Sequence, residues 1–300
     1  MDNPTFNITA VERETGLSKD VLRVWERRYG FPAPQRDSNG ERRYPPEQVE
    51  RLRLIKRLMD QGHRPGRLLH APPEELDQLA PRRTAQRVSA PAPADLAELL
   101  ALLKRHDAAG YLQAMQQRLA RQGLLAFVQD TVAPLTEQVG TAWENGSFEV
   151  FEEHLFTELT KRVLRQSIGA LPPGRGPRLM LTSVPNEEHV LGLLMAEALF
   201  ALEGVDCIPL GTQMPLLDIA RAAEAHAADI VALSFSQAFP QRQIPALLRQ
   251  LRAALPAHIA LWAGGSGTAR LAPIDGVRLL PGLADALDAL ATWRHGERSP

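Results

Sequence analysis

The chain has 300 residues, 44% of them hydrophobic and 23% charged, with a formal net charge of −1, which is enough for two or three globular domains with sizeable cores. Its single cysteine, Cys207, excludes an intrachain disulfide and a multi-thiolate metal site within one chain. The longest apolar runs fall far short of the ~20 residues that a membrane span needs, and the N-terminus lacks a basic-then-apolar leader, so no membrane association is expected and a cytoplasmic location is.

Charge is unevenly placed: residues 1–70 hold 14 Lys and Arg against 10 Asp and Glu, and the remainder holds 20 against 25. The basic surplus lies where a nucleic-acid surface would use it. Residues 7–29 predict two short helices. Thr9 is placed to cap the first, Gly16-Leu17 makes a turn, and Ser18 caps the second from Lys19. The second helix carries Lys19, Arg23 and Arg27 at four-residue spacing, with Val21, Leu22 and Val24 assigned to its core side. Pro32, Pro34 and Arg36 follow, then an Asn39-Gly40 hairpin signal and Arg42-Arg43-Tyr44. A basic hairpin beside a basic helix makes a wing suited to phosphates.

Three segments of this region, Arg23-Val24-Trp25-Glu26-Arg27-Arg28-Tyr29-Gly30, Pro34-x-Arg36 and Gly40-x-Arg42-Arg43-Tyr44, resemble the winged-helix DNA-binding domain of MerR-type regulators. The resemblance covers about the first 75 residues. It implies transcriptional control by a self-associating protein on double-stranded promoter or operator DNA, with Lys19, Arg23, Trp25, Arg36, Arg42, Arg43 and Tyr44 at the DNA. Metal sensors of that family use C-terminal cysteines that this chain lacks, so its signal must be read elsewhere.

Residues 46–61 predict a third helix with Val49, Leu52, Ile55 and Leu58-Met59 on one face, and the first domain is expected to span residues 1–79. Residues 80–94 turn to Pro, Arg, Ser, Thr and Ala, a linker signature. Residues 95–171 are helical in pattern throughout and predict a four-helix bundle, broken near Asp107, Gly123 and Asn145-Gly146. After the Pro172–Pro177 hinge, strands and helices alternate over residues 178–300. Strands are expected at 178–183, 206–210, 229–234, 259–263 and 277–280, with helices near 190–203, 215–226, 240–255 and 283–293. Five strands joined by helices predict a doubly wound parallel sheet. The expected class is therefore α+β and multidomain: a winged helix-turn-helix, a bundle cap, and a flavodoxin-like doubly wound α/β domain.

The loop Pro185–Gly192 between the first of these strands and its helix sits where open α/β folds bind ligands. Glu187 is two residues before His189 and is placed to hold one imidazole nitrogen, leaving the other available to a metal. A His on such a loop is, taken alone, more often a solvated residue. Yet Glu187-x-His189-x-x-Gly192, Ser234-Phe235-Ser236 and Gly264-Gly265 occur in the order and spacing of the Asp-x-His-x-x-Gly, Ser-x-Leu and Gly-Gly segments of cobalamin-binding domains. The sheet domain thus resembles those of methionine synthase, corrinoid methyltransferases and B12-dependent mutases. The resemblance implies His189 as the cobalt ligand, with Glu187, Gly192, Ser234, Ser236, Gly264 and Gly265 about the cofactor. Glu for Asp lengthens the arm that holds the imidazole, and Ser236 for Leu alters the contact with the displaced base.

In the bundle, Trp143 to His154 is similar to the Trp-x9-Glu-His signature of light-sensing, adenosylcobalamin-dependent MerR-type regulators. This implies Trp143, Val150, Glu153 and His154 at the adenosyl face. Together the resemblances imply a regulator, expected to be a repressor and not an enzyme, that uses adenosylcobalamin as chromophore to control oligomerisation and operator binding. Two alternatives remain: a MerR-type regulator whose B12-like domain binds no cofactor and acts through protein partners, and a corrinoid carrier enzyme. Cys207, Trp262 and the apolar stripe over 191–202 are expected simply to pack.

Overall fold

A computed structural model describes residues 5–60, 63–79 and 94–296. They divide into two compact units, one of residues 1–89 with 140–149 and the other of residues 90–139 with 150–300. The expected linker over residues 80–94 lies, apart from Ala94, outside the described residues.

In the first unit a short strand β1 (Phe6–Asn7) leads into α1 (Ile8–Thr15) and α2 (Lys19–Tyr29). Asn7 caps α1, accepting from the Ala10 N–H at 2.8 Å, so the helix begins before Thr9, the expected cap. Ser18 caps α2 as expected, accepting from Val21 N–H. The wing is the hairpin of β2 (Gln35–Arg36) and β3 (Arg42–Tyr44), and β1 adds to its far side, Phe6 opposite Tyr44. Its turn is organised by Asp37, whose carboxylate accepts from the N–H groups of Asn39 and Glu41, with Gly40 in the left-handed region that tight turns demand. The helices α3 (Pro46–Asp60), α4 (Pro65–His70) and α5 (Pro73–Leu79) close the core over Val11, Leu22, Leu52, Ile55 and Leu68.

The second unit begins with α6 (Ala94–Lys104) and α7 (Ala108–Ala126), the latter capped by Asp107 and interrupted at Gly123, whose φ of 74° is not helical. A π-helical turn, Phe127–Val132, joins α7 to α8 (Ala133–Glu144), and α9 (Val150–Gly169) follows. Tyr111 and Thr160, both buried, satisfy each other at 2.9 Å between α7 and α9.

The sheet then forms from β4 (Arg178–Thr182), β5 (Asp206–Gly211), β6 (Ile230–Ser234), β7 (Ala260–Gly264) and β8 (Val277–Leu280), all parallel, in the order β5-β4-β6-β7-β8. Side chains alternate across it as strand geometry requires. Met180, Val231, Leu233 and Leu261 face α11 (Leu216–Ala225) and α12 (Ile244–Ala254). Leu179, Leu181, Ile230 and Trp262 face α10 (Leu191–Leu202) and α13 (Leu283–Arg294). Helix α10 is apolar nearly all round because it is covered on two sides, by the sheet and by α7 and α9. Trp262 and the 191–202 stripe are core, as expected. The order reverses between β4 and β6, so the loops leaving those two strands stand at a topological switch point at the carboxyl ends of the sheet.

Candidate functional site

The loop after β4 and the loop after β6 meet over one carboxylate. Glu187 is 1% exposed, and its Oε1 takes the His189 backbone N–H at 3.0 Å and lies 2.7 Å from His189 Nδ1. Its Oε2 accepts the Ser236 backbone N–H at 2.8 Å and the Ser236 hydroxyl at 2.9 Å. The loop is tied down from β5 as well: Ser183 donates its hydroxyl to Glu187 O at 2.6 Å and accepts Gln213 N–H at 3.0 Å. Burial works to raise the Glu187 carboxyl, but the imidazole and the two backbone N–H groups outweigh it, and the group lies below its ordinary value. The hydrogen bond to Glu187 raises the His189 pKa against its burial, and the charges of Glu153 and Glu188 add to the rise.

The consequence is an imidazole fixed through Nδ1 and open at Nε2. Its side chain is 61% exposed, and Nε2 makes no hydrogen bond among the described residues. Among the described residues no three His, Cys, Asp or Glu side chains converge as a metal cage. One oriented imidazole is the donor set for a metal that arrives with its other ligands, as the cobalt of a corrin does, and a carboxylate behind it fixes the tautomer and raises its basicity. The residues therefore fit cobalamin. Sequence reasoning paired Glu187 with His189, but treated Ser236 as a departure from Leu; the structure makes it the third member of the network. Its sequence distance of 47 residues from His189 hides that role, and only the strand order reveals it.

The small residues cluster as the order of motifs predicted. A Cβ on Gly192 would lie 2.8 Å from Ser234 Oγ, Ser234 pairs with Gly264 across β6 and β7, and a Cβ on Gly265 would lie 2.4 Å from Phe235 O. Close approach of the chain to itself is reason enough for glycine at 192 and 265.

Glu153 lies on the first turn of α9, its oxygens held by Thr157 Oγ1 at 2.8 Å and His154 Nδ1 at 2.8 Å, and its charge reaches His189. Val150 and His154 are exposed on the same turn. Trp143 is half-buried at the end of α8, before the Asn145–Ser147 turn, among the residues grouped with the first unit. Cys207, half-buried near the start of β5, is at the opposite end of the strands from this switch point; burial, with Glu197 and Asp206 nearby, pushes its thiol up to about 12.

On the first unit, Lys19, Arg23 and Arg27 reach the surface on α2 and Arg36, Arg42 and Arg43 on the wing. Arg42 is held by Glu26 at 2.7 Å, Arg43 by Asp37 at 2.9 Å, Arg23 by Asp20 at 3.2 Å, and Arg36 donates to Gly40 O at 2.8 Å. Two of the expected surface residues are corrected. Trp25 is 6% exposed and Tyr44 fully buried: Trp25 lies on the core side of α2 with Leu22, and Tyr44 packs into the same core. Val24 is the converse: expected in the core, it is 46% exposed.

Comparison with known proteins agrees with both halves. Residues 6–68 match the MerR HTH family regulatory proteins, residues 95–166 one type of B12 binding domain and residues 177–277 another. The HTH-type transcriptional repressor CarH of Myxococcus xanthus is 32% identical over 89% of this chain and 90% of its own length. CarA of the same organism, also described as an HTH-type transcriptional repressor, is 28% identical over 88% and 87%. The Methanosarcina barkeri monomethylamine corrinoid protein superposes with a TM-score of 0.53 at 15% identity, over 64% of this chain and 95% of that one, and shares the fold of the second unit. With a MerR helix-turn-helix, B12-binding segments and near full-length similarity to CarH, the chain belongs to the CarH-like family of MerR-type, cobalamin-dependent transcriptional regulators.

Proposed function

We propose that this protein is a light-controlled transcriptional repressor that takes adenosylcobalamin as its chromophore and binds operator DNA as a self-associated assembly. The similarity to two proteins named as repressors supports the direction of control. The observation that carries the reading is the Glu187–His189 pair, with Nδ1 anchored and Nε2 open at the strand-order reversal, on a chain that also bears a MerR helix-turn-helix. No helix among the described residues is long and apolar enough to cross a membrane, which accords with action on cytoplasmic DNA.

His189 Nε2 would donate to the cobalt, with Glu187 and Ser236 holding its ring. Val150, Glu153 and His154 on α9 would meet the adenosyl group, Glu153 being held by Thr157 and His154, and the resemblance in sequence adds Trp143 to that set. Bound adenosylcobalamin supplies a cobalt–carbon bond that visible light cleaves. Loss of the adenosyl group would take from Val150, and by the resemblance from Trp143, a packing partner the size of several side chains. Emptying a cavity of even one large side chain costs ~3–5 kcal/mol, which exceeds the ~1–3 kcal/mol typical of an allosteric coupling. The cap would then repack, and the assembly that binds DNA would be lost. The cofactor acts here as a switch on a two-state arrangement and not as a catalyst.

The test uses purified full-length protein with adenosylcobalamin and methylcobalamin side by side, each in the dark and after illumination, followed by absorption spectrum, size exclusion and gel shift. The dark adenosyl sample alone should assemble and bind operator DNA. Equal DNA binding under all four conditions rejects light sensing and leaves a regulator that works without its cofactor.

A further inference from the structure

The outer face of α2 carries an apolar residue that the fold does not use. Leu22 and Trp25 define the core side of this helix. Opposite them, Asp20, Arg23, Val24 and Arg27 occupy positions i, i+3, i+4 and i+7, a single stripe on the side away from the core. Asp20 and Arg23 pair at 3.2 Å along it. Val24, 46% exposed, shares that face, one residue after Arg23 and three before Arg27. A β-branched residue there has a lower helix propensity than alanine, and it is not among the residues of the core.

We propose that Val24 reads a thymine methyl in each half-site of the operator, and so sets sequence preference as well as contact. This rests on the reading of α2 as the helix that enters the major groove. The thymine C5-methyl is the one apolar group that base edges present in that groove, and short aliphatic side chains are its ordinary partner. Valine is short, so it meets a methyl only when the helix lies close against the base edges. Arg23 and Arg27, one turn apart on the same face, reach further, to guanine edges or phosphates flanking that base pair. The stripe thus has an apolar reader with two cationic neighbours, which is a pattern for sequence.

The probe is the duplex that the full-length, cofactor-loaded protein selects from a randomised library. Each thymine in the selected half-site is replaced in turn by uracil, which removes only the methyl. One symmetric pair of positions should weaken binding about fourfold per half-site, the factor that burying one methyl-sized group is worth. Val24→Ala should lose the same factor on the thymine duplex and nothing further on the uracil duplex, with thermal stability no lower than the parent's, since alanine favours the helix. Uracil without effect at every position, or a Val24→Ala protein as sensitive to uracil as the parent, overturns the inference while leaving DNA recognition intact. A protein that selects no sequence overturns both.

Discussion

The wing and the strand-end loop each hold a nitrogen-bearing side chain with a carboxylate, and they do so under opposite conditions. Arg42 on Glu26 and Arg43 on Asp37 are pairs of partly exposed groups with direct hydrogen bonds. His189 is also largely exposed, but its partner Glu187 is buried and carries bonds from two loops. A surface pair is worth only ~0.2–1 kcal/mol, so a wing arginine leaves its carboxylate readily when a phosphate arrives. A buried carboxylate with several charge-assisted hydrogen bonds is costly to disturb, at ~1.5–3 kcal/mol for each bond to a charged group. Polyanion contact tolerates adjustable cations. Ligation of one metal along one axis requires an imidazole whose plane is already fixed.

The largest expected effect follows from removing the buried member. Glu187→Ala leaves the Ser236 and His189 backbone N–H groups without their acceptor and frees the imidazole to rotate. Stability should fall by about 3 kcal/mol, and cobalamin retention by about 10- to 100-fold, as for other groups that orient a metal ligand. Denaturant unfolding and equilibrium dialysis measure the two losses. His189→Ala should abolish the spectrum of a histidine-ligated corrinoid at a smaller cost in stability, because Ser236 still satisfies the carboxylate. If Glu187→Ala retained both stability and cofactor, the contrast with the wing would vanish.

Acidity separates the two regions next. Glu187 has a lowered folded pKa, so its stabilisation is present above its ordinary 4.5 and is lost as pH falls through the lowered value. His189 has a raised one, so its stabilisation is fully present below its ordinary 6.5 and is lost as pH rises through the raised value. The ion pair therefore contributes most to the apoprotein between 4.5 and 6.5. The proposed ligation would require the opposite state, because Nε2 must shed a proton before it can donate to cobalt. Retention should fall as pH drops below the raised His189 value, which lies above 6.5. A titration of retention by dialysis, with apoprotein melting followed over the same range, should show the two trends running against each other; parallel trends would remove the imidazole from the site.

How far this contrast was legible in the sequence depends on separation along the chain. The strands and the helices between them followed from alternating and helical spacing to within a few residues, and Glu187 and His189 are neighbours, so their bond was readable. Ser236 contributes through the loop after another strand, and nothing local marks it. On α2 the residue types were legible but the phase was not. Valines at 21 and 24 suggested a core side that the larger indole of Trp25 instead takes, leaving Val24 outside. Tyr44 lies on a three-residue strand, too short for a period-of-two pattern to say which face is buried. The π-helical turn after the Gly123 break was likewise unreadable, since the residues 127–132 that form it are ordinary helix formers and core residues.

The smallest effect on the fold is expected at Glu26, and it is the one that puts the comparison at most risk. Glu26→Gln removes the carboxylate from Arg42 while keeping a polar side chain of the same size on α2. Stability should change by no more than ~1 kcal/mol, the upper range for an exposed pair. DNA affinity should rise, because Arg42 no longer has to leave a carboxylate to reach a phosphate and one negative charge is gone from a surface that meets a polyanion. Arg42→Ala should do the reverse, weakening binding to all duplexes alike and reducing the slope of log affinity against log salt by about 0.9, the counterion equivalent of one phosphate. So the same operation, deletion of the carboxylate behind a ligand-facing nitrogen, should strengthen ligand binding at the wing and weaken it at the strand end. Gel shifts over a salt series with the parent, Glu26→Gln and Arg42→Ala decide it. A loss of affinity in Glu26→Gln would mean that Glu26 positions Arg42 for DNA as Glu187 positions His189, and that the wing is preorganised after all.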